Sequence, residues 1–309
     1  MRKLLFILAL VLGSGALAQA QETYKYAQRD TCDLYLDIWR PSSDAVTSVD
    51  SLSKPTVLYV FGGGFITGRR DDPFTIKWFK RLNSEGYAVV SIDYRLGMKG
   101  YEVGKGLSGT LKASDRFLLS QQIGVEDVFS AVSYLADHPE LGISADNIVL
   151  SGSSAGAIIS LASAYNFANG NTEGLPENFP GFKGVMSFAG GIISNSGAPK
   201  FKKAPCPLLL LHGTADEAVA YKQFGAFGHG IWGSSFIADK LQKKGWPCCI
   251  YRFTDRTHAV AAYMDYLWPI EETFLERVTI GADYSVDATV EDPSLPTWWS
   301  VSLDDIYKK

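Results

Sequence analysis

The sequence is short of the side chains that hold metals. It has four cysteines and four histidines in 309 residues, and no Cys/His group among them has metal-ligand spacing, so no metal site is expected. Positive charge is not in excess: 29 Lys and Arg stand against 33 Asp and Glu, a formal net charge of −4. That balance argues against nucleic acid and against polyanionic substrates. Long apolar runs are also missing. The apolar stretch from Leu4 to Leu12 falls short of the roughly 20 residues needed to cross a bilayer, so no membrane span is expected in the mature chain. No internal repeat or low-complexity tract interrupts the sequence.

The N-terminus does carry a recognisable pattern. Arg2 and Lys3 precede the apolar stretch, and Ala16-Leu17-Ala18 and Ala18-Gln19-Ala20 are small-residue cleavage sites. Together they predict a secretory signal peptide over residues 1–20 and a secreted or periplasmic mature chain over 21–309. Cleavage after Ala18 and after Ala20 are both open. No cysteine sits at the cleavage site, which argues against a lipoprotein. Removing Arg2 and Lys3 takes the charge from −4 to about −6. The remaining length suits one large domain with an ample core.

Strand-like and helix-like segments alternate along that chain. Residues 24–39 read as an antiparallel two-strand lead-in. Strands are expected at 55–61, 87–93, 147–151, 184–188, 207–212 and 248–253. Helices are expected at 73–84, 120–137, after residue 154, at 234–244 and at 258–278. Such alternation predicts an α/β fold with a mostly parallel sheet covered by helices on both faces.

The chemistry-bearing motifs fall at the ends of predicted strands. Gly152-Ser153-Ser154-Ala155-Gly156 lies between an apolar run, Asn147-Ile148-Val149-Leu150-Ser151, and an Ala-rich run. G-x-S-x-G between a strand and a helix is a sharp turn with Ser154 at its apex. Its small neighbours tolerate a strained turn, and the helix N-terminus favours developing negative charge. An isolated G-x-S-x-G is a weak signal, so the companions matter. Upstream, the strand at 54–60 runs into Phe61-Gly62-Gly63-Gly64-Phe65, whose glycines let backbone N–H groups approach a substrate. Downstream, Pro207-Leu208-Leu209-Leu210-Leu211 ends in His212-Gly213-Thr214-Ala215-Asp216-Glu217. An Asp just past a strand end reaches the crevice of an open sheet, which favours Asp216 over its nearest competitor, Glu217. Last, Cys249-Ile250-Tyr251-Arg252-Phe253 leads to Thr254-Asp255-Arg256-Thr257-His258.

Taken in that order, these segments resemble the α/β-hydrolase esterases and lipases, and among them the hormone-sensitive-lipase-like branch. Ser91-Ile92-Asp93-Tyr94-Arg95-Leu96 and Gly124-Val125-Glu126-Asp127 add to the likeness, which spans roughly residues 30–280. The resemblance implies an α/β-hydrolase with short cap or loop insertions. It also implies a Ser-Asp/Glu-His order along the chain. Of the four histidines only His258 follows a strand after the acid. His138 sits in a helix-ending His-Pro pair, His212 precedes the acid as a structural partner, and His229 lies between acid and last strand. Two departures stand out. The family usually has His where Phe61 stands, and its elbow usually ends Ala-Gly-Gly rather than Ala155-Gly156-Ala157.

The implied mechanism has Ser154 as nucleophile, His258 as base and Asp216 as its orienter. Backbone N–H groups of Gly63, Gly64 and Ala155 would hold the oxyanion. No metal or organic cofactor is required. The expected function is that of a secreted serine carboxylesterase acting on a small-molecule or carbohydrate ester. The acyl groups would be short, with acetyl or feruloyl esters of plant polysaccharide as candidates. A serine peptidase of the same fold is the alternative, although the chain is too short for the propeller such enzymes usually carry. A catalytically inactive binding module is the alternative from another class, although such modules usually lose the Ser or the His.

Three insertions are candidate substrate walls: residues 97–117, 168–182 and 221–232. The last holds Phe224, Phe227, His229 and Trp232 among four glycines. Phe65, Phe227 and Trp232 are the candidate substrate-binding residues, with core capping as the competing role. Trp298-Trp299 is read as a docking plug or a binding surface. Cys206 and Cys248 each lie ten residues before Asp216 and His258 respectively. If their strands are parallel neighbours, a disulfide from Cys206 to Cys248 or Cys249 would be within reach.

Overall fold

The computed structural model describes residues 21–41 and 54–297. The signal-peptide expectation for residues 1–20 and the Trp298-Trp299 pair lie outside the described residues.

The chain opens with β1 (Glu22–Gln28) and β2 (Asp33–Trp39), paired antiparallel. Next come β3 (Thr56–Val60), α1 (Pro73–Ser84), β4 (Val89–Ile92), α2 (Gly106–Asp137), β5 (Ile148–Ser153), α3 (Ala155–Ala168) and β6 (Gly184–Phe188). The second half holds β7 (Gly191–Ser194), β8 (Leu208–Gly213), β9 (Gln223–Ala226), β10 (His229–Gly233), α4 (Ser234–Gln242), β11 (Cys249–Phe253), α5 (Trp268–Thr279) and β12 (Val286–Val290). Nine strands form one sheet in the order β1-β2-β4-β3-β5-β6-β8-β11-β12. It is antiparallel only at β1–β2 and β2–β4 and parallel from there to β12. A separate antiparallel sheet has the order β7-β10-β9. This is the mostly parallel α/β-hydrolase architecture.

Residue chemistry explains the layering. Every residue of β3, β4, β5, β6 and β8 is buried. That is the mark of parallel strands covered on both faces. The edge strand β12 instead alternates half-buried and exposed positions. Helix α1 starts where Asp72 accepts the Phe74 N–H at 2.9 Å, with Pro73 in the first turn. Helix α3 is buried along most of its length, so its hydroxyls are satisfied internally: Ser160 and Ser163 donate to the carbonyls of Gly156 and Ile159 at 2.9 Å. Behind the sheet, the Trp78 Nε1–H of α1 donates to Glu271 Oε2 of α5 at 2.6 Å. Burial pushes this carboxyl well above its usual range.

Register decides what lies beside what. Val60 pairs with Gly152, Ser153 with Phe188, Phe188 with Leu211, and Gly213 with Phe253. The C-terminal ends of β3, β5, β6, β8 and β11 therefore finish level, and the loops leaving them share one crevice. The same register separates the cysteines. Cys249 pairs with Leu209, so continuing the ladder back puts Cys206 level with Trp246, short of Cys248. All four cysteines are free; the Cys206 bridge to Cys248 or Cys249 is not formed.

Several boundaries differ from expectation. Helix α2 begins at Gly106, well before residue 120, so most of the supposed loop at 97–117 is helical. Its first turns contain Gly106 and Gly109 and have no side-chain cap, which disguises them as a loop. Close packing holds them: a Cβ on Gly109 would lie 2.2 Å from the Gly104 carbonyl. Residues 221–232 are mainly the β9–β10 hairpin, docked on β7. The expected helix at 258–278 splits into two 3₁₀ turns, His258–Ala262 and Met264–Tyr266, before α5. Among the described residues no helix is long and apolar enough to cross a membrane.

Candidate active site

Strand β5 ends at Ser153 and α3 begins at Ala155, so Ser154 alone makes the reversal. Its φ of 52° and ψ of −117° cost about 1–3 kcal/mol and persist only where neighbours enforce them. The Ser154 N–H donates to the Phe188 carbonyl of β6 at 2.9 Å. A Cβ on Gly156 would lie 2.0 Å from the Val60 oxygen, and one on Gly152 would lie 2.3 Å from the Gly156 carbonyl. The turn thus packs backbone against backbone, which is why the motif needs both glycines. Ser153 is otherwise engaged, its hydroxyl donating to the Ala261 carbonyl at 2.7 Å.

The loops after β8 and β11 bring two more side chains to this turn. His258 Nε2 lies 2.7 Å from Ser154 Oγ, and His258 Nδ1 lies 2.8 Å from Asp216 Oδ2. Ser154, Asp216 and His258 are 7%, 7% and 2% exposed. Asp216 Oδ1 accepts the N–H groups of Ala218 and Val219 at 2.9 and 3.0 Å. Burial alone would raise this carboxyl. Hydrogen bonds from His212 and His258 override it and hold Asp216 well below the usual carboxylate range. Glu217, the competitor for this role, is exposed.

His212 is the structural partner expected at this strand end. It is fully buried, with Nε2 2.9 Å from the Val219 carbonyl and 3.2 Å from Asp216 Oδ2. Its Nδ1 lies 2.8 Å from Ser234 Oγ. A second imidazole therefore supports the same carboxylate. The i, i+4 spacing of His212 and Asp216 across a strand end was the available signal. His138 is remote from the site in function: its Nδ1 meets the Tyr134 carbonyl at 2.7 Å where α2 ends.

The glycine run leaves β3 beside this constellation. Gly63 has φ 110°, and a Cβ there would lie 2.1 Å from the Thr67 oxygen. Its own carbonyl accepts the Ile66 and Thr67 N–H groups at 3.0 and 3.1 Å. Gly63 thus closes a tight turn, while Gly64 and Ala155 face the same cavity as Ser154. Ala155 opens α3, where N–H groups lack helical partners and the dipole is positive. Phe61, at the start of the run, is buried. Its ring packs on Tyr94 at 4.5 Å, and the Tyr94 hydroxyl donates to the Phe61 carbonyl at 3.1 Å.

A cavity of about 440 Å³ opens over Ser154. One wall is a stripe of α2, comprising Leu107, Thr110, Leu111, Ser114 and Phe117, at the spacing of one helix face. The facing wall is the β9–β10 hairpin, with Phe224, Phe227, His229 and Ile231. Phe65, Ile158, Ile193, Ala218 and Val219 also line it. Two of the three suspected insertions thus reach the cavity, and residues 168–182 do not. Of the suspected contact residues, Phe65 and Phe227 line it and Trp232 does not. Trp232 is buried on β10 and packs on Phe236 at 6.4 Å between ring centres. Strand alternation explains this, because Ile231 and Trp232 face opposite sides. Among the described residues no three His, Cys, Asp or Glu side chains are grouped to hold a metal ion.

Residues 14–174, a little over half of the chain, match the carboxylesterase family. The chain belongs to the carboxylesterase family. Its sequence is similar to the chlorogenic acid esterase of Aspergillus niger, with 31% identity over 168 residues, or 54% of this chain and 27% of that protein. It is also similar to secreted lipase 5 of Gibberella zeae, with 26% identity over 145 residues, covering 46% and 24%. The chain spans about a quarter of the length of these curated relatives. In structure it is similar to the esterase Est2 of Thermogutta terrifontis in its propionate-bound form. The TM-score is 0.56 and the identity 21%, with 83% of this chain and 94% of that one covered. The same esterase phosphonylated by sarin superposes with a TM-score of 0.57, 19% identity and the same coverage. These likenesses place this carboxylesterase-family chain in the α/β-hydrolase fold.

Proposed function

We propose that this member of the carboxylesterase family is a secreted serine esterase that hydrolyses carboxylic esters through an acyl-enzyme. The observation that carries the reading is His258, whose two ring nitrogens face Ser154 Oγ and Asp216 Oδ2 at 2.7 and 2.8 Å. His258 Nε2 takes the Ser154 proton as Oγ attacks the ester carbonyl, then returns it to the leaving alcohol. Asp216, held ionised by its buried donors, fixes the imidazole tautomer and stabilises the imidazolium. The N–H groups of Ala155 and of the glycine run at Gly63 and Gly64 receive the oxyanion. Each such donor is worth about 10²–10³ in rate. Water attacks the acyl-enzyme by the same proton route in reverse, and the products are one acid and one alcohol.

Short acyl groups are the first substrates of this proposal, and aromatic acyl groups the second. The name of the Aspergillus niger relative, a chlorogenic acid esterase, supports the second. Export of the chain, through the expected signal peptide, is supported by the name of the Gibberella zeae relative. Membership of the hormone-sensitive-lipase-like branch is likewise part of the proposal, resting on the motifs around Gly64, Asp127 and Ser154. A fluorophosphonate probe tests the core claim. Wild type should label covalently and Ser154→Ala should not, with both folded by circular dichroism. Equal labelling of the two proteins would refute the role of Ser154, and no labelling of either would favour a binding module.

A further inference from the structure

The wall of the cavity is mostly apolar, with Thr110, Ser114 and His229 as its polar side chains beside Ser154. Leu107, Leu111 and Phe117 line one side, and Phe224, Phe227 and Ile231 line the other. Phe224 and Phe227 are 70% and 82% exposed, which is a large apolar surface to leave in water without a ligand to cover it. The volume of about 440 Å³ is in the range that encloses a whole small molecule, well beyond an acetyl group. Four phenylalanines around it favour a flat aromatic occupant, because ring edges and faces attract one another.

Of these polar side chains, His229 lies where three elements meet. His229 of β10 lines the cavity. Its Nδ1 is buried, lies 3.4 Å from Asp115 Oδ1 of α2, and makes no hydrogen bond. Asn195, just past β7, donates to that same Asp115 oxygen at 3.3 Å. The neighbouring Thr110 hydroxyl is committed to the Gly106 carbonyl at 3.1 Å. With the imidazole proton on Nδ1, facing this carboxylate, Nε2 is a hydrogen-bond acceptor. A ring held this way in an apolar wall suits a ligand hydroxyl that donates to it.

We propose that the cavity is an acyl subsite for an aromatic carboxylic ester with a hydroxyl at its far end, and that His229, oriented by Asp115, reads that hydroxyl. The inference rests on the serine-esterase reading above. The acyl part is the occupant because it stays bonded to Ser154 Oγ, and Ser154, Ala155 and Gly64 all line this cavity. His229 is a specificity-determining residue and takes no part in the proton transfers at Ser154.

The test measures kcat/KM of the full chain for methyl 4-hydroxycinnamate, methyl 4-methoxycinnamate and methyl cinnamate. Wild type should prefer the hydroxyl ester over both others by about tenfold or more, since a site built to bind a hydroxyl penalises its absence. His229→Phe should bring the ratio to about one. Asp115→Ala, at an exposed position that folding tolerates, should reduce the ratio part of the way. A wild-type ratio near one, or a ratio that His229→Phe leaves intact, would overturn the subsite. So would a preference that appears only with the hydroxyl on the alcohol side, measured with 4-hydroxyphenethyl and phenethyl acetates. Wild-type hydrolysis of p-nitrophenyl acetate separates the two claims. Turnover of that ester without hydroxyl preference sinks the subsite alone, whereas no turnover of any ester sinks the esterase reading beneath it.

Discussion

Ser154, Asp216 and His258 are each at most 7% exposed, while Phe224 and Phe227 across the cavity are 70% and 82% exposed. The first group sits just past the ends of hydrogen-bonded parallel strands, where backbone ladders and close glycine contacts leave little freedom. The second sits on a hairpin that joins only a small three-stranded sheet, with glycines at 225, 228 and 230. The contrast teaches a division of labour. A proton relay needs atoms held to within a few tenths of an ångström, and the strand ends supply that. Substrate selection works through contact area and tolerates repacking, so it belongs on the less constrained hairpin.

The largest expected effect tests the rigid side. His258→Ala should drop kcat/KM for a small activated ester to the Ser154→Ala level, and Asp216→Asn should cost about 10³–10⁴-fold. Near-wild-type kcat/KM in either variant would mean that the buried constellation is not the reacting centre. Next comes a pair within the hairpin, Trp232 on β10 and Phe227 in the turn before it. Trp232→Ala removes a buried ring and should cost about 3 kcal/mol in urea unfolding. Phe227→Ala should change stability by less than about 0.5 kcal/mol yet reorder kcat/KM among acetyl, butyryl and aromatic acyl esters. If Trp232→Ala reorders substrates and Phe227→Ala does not, the hairpin turn is not the selecting wall and Trp232 reaches the substrate.

A third change asks whether rigidity at the elbow is steric. Gly156→Ala places a Cβ 2.0 Å from the Val60 oxygen and should cost about 1–3 kcal/mol of stability, with a larger loss of kcat. Undiminished activity would show that the turn can relax. The smallest effect lies behind the sheet. Glu271 has its carboxyl raised by burial, so its contribution to stability is full below the ordinary carboxyl range. That contribution is lost as pH rises toward the folded value. Glu271→Gln keeps an acceptor for Trp78 and should flatten this decline in melting temperature between pH 5 and pH 8. Parallel melting curves for the two proteins would show that Glu271 ionises without cost.

Parts of the molecule were legible because local chemistry decided them. Pro73 after Asp72 marks the start of α1, and the apolar runs within 55–61, 147–151 and 207–212 read as short buried strands. Chain order, read with the α/β-hydrolase resemblance, chose Ser154, Asp216 and His258 as the residues that the fold brings together, and the position just past a strand end chose Asp216 over Glu217. The start of α2 was hidden because Gly106 and Gly109 weaken helix propensity, and only contact with Gly104 makes the helix close there. Strands β7, β9 and β10 were hidden because short Gly-rich segments such as Gln223–Ala226 have little intrinsic strand preference.

The sequence by itself thus determined the parallel sheet, the turn at Ser154 and the identities of its partners. Each depends on residue type at a strand end, a signal that spacing along the chain preserves. Tertiary structure alone decided the rest. It set the register that keeps Cys206 from Cys248 and Cys249, turned Trp232 away from the cavity, and joined His229 to Asp115. Each of these is a contact between elements distant in sequence or a choice between two faces of one strand. Such contacts follow from how surfaces pack, which no local pattern of residues encodes.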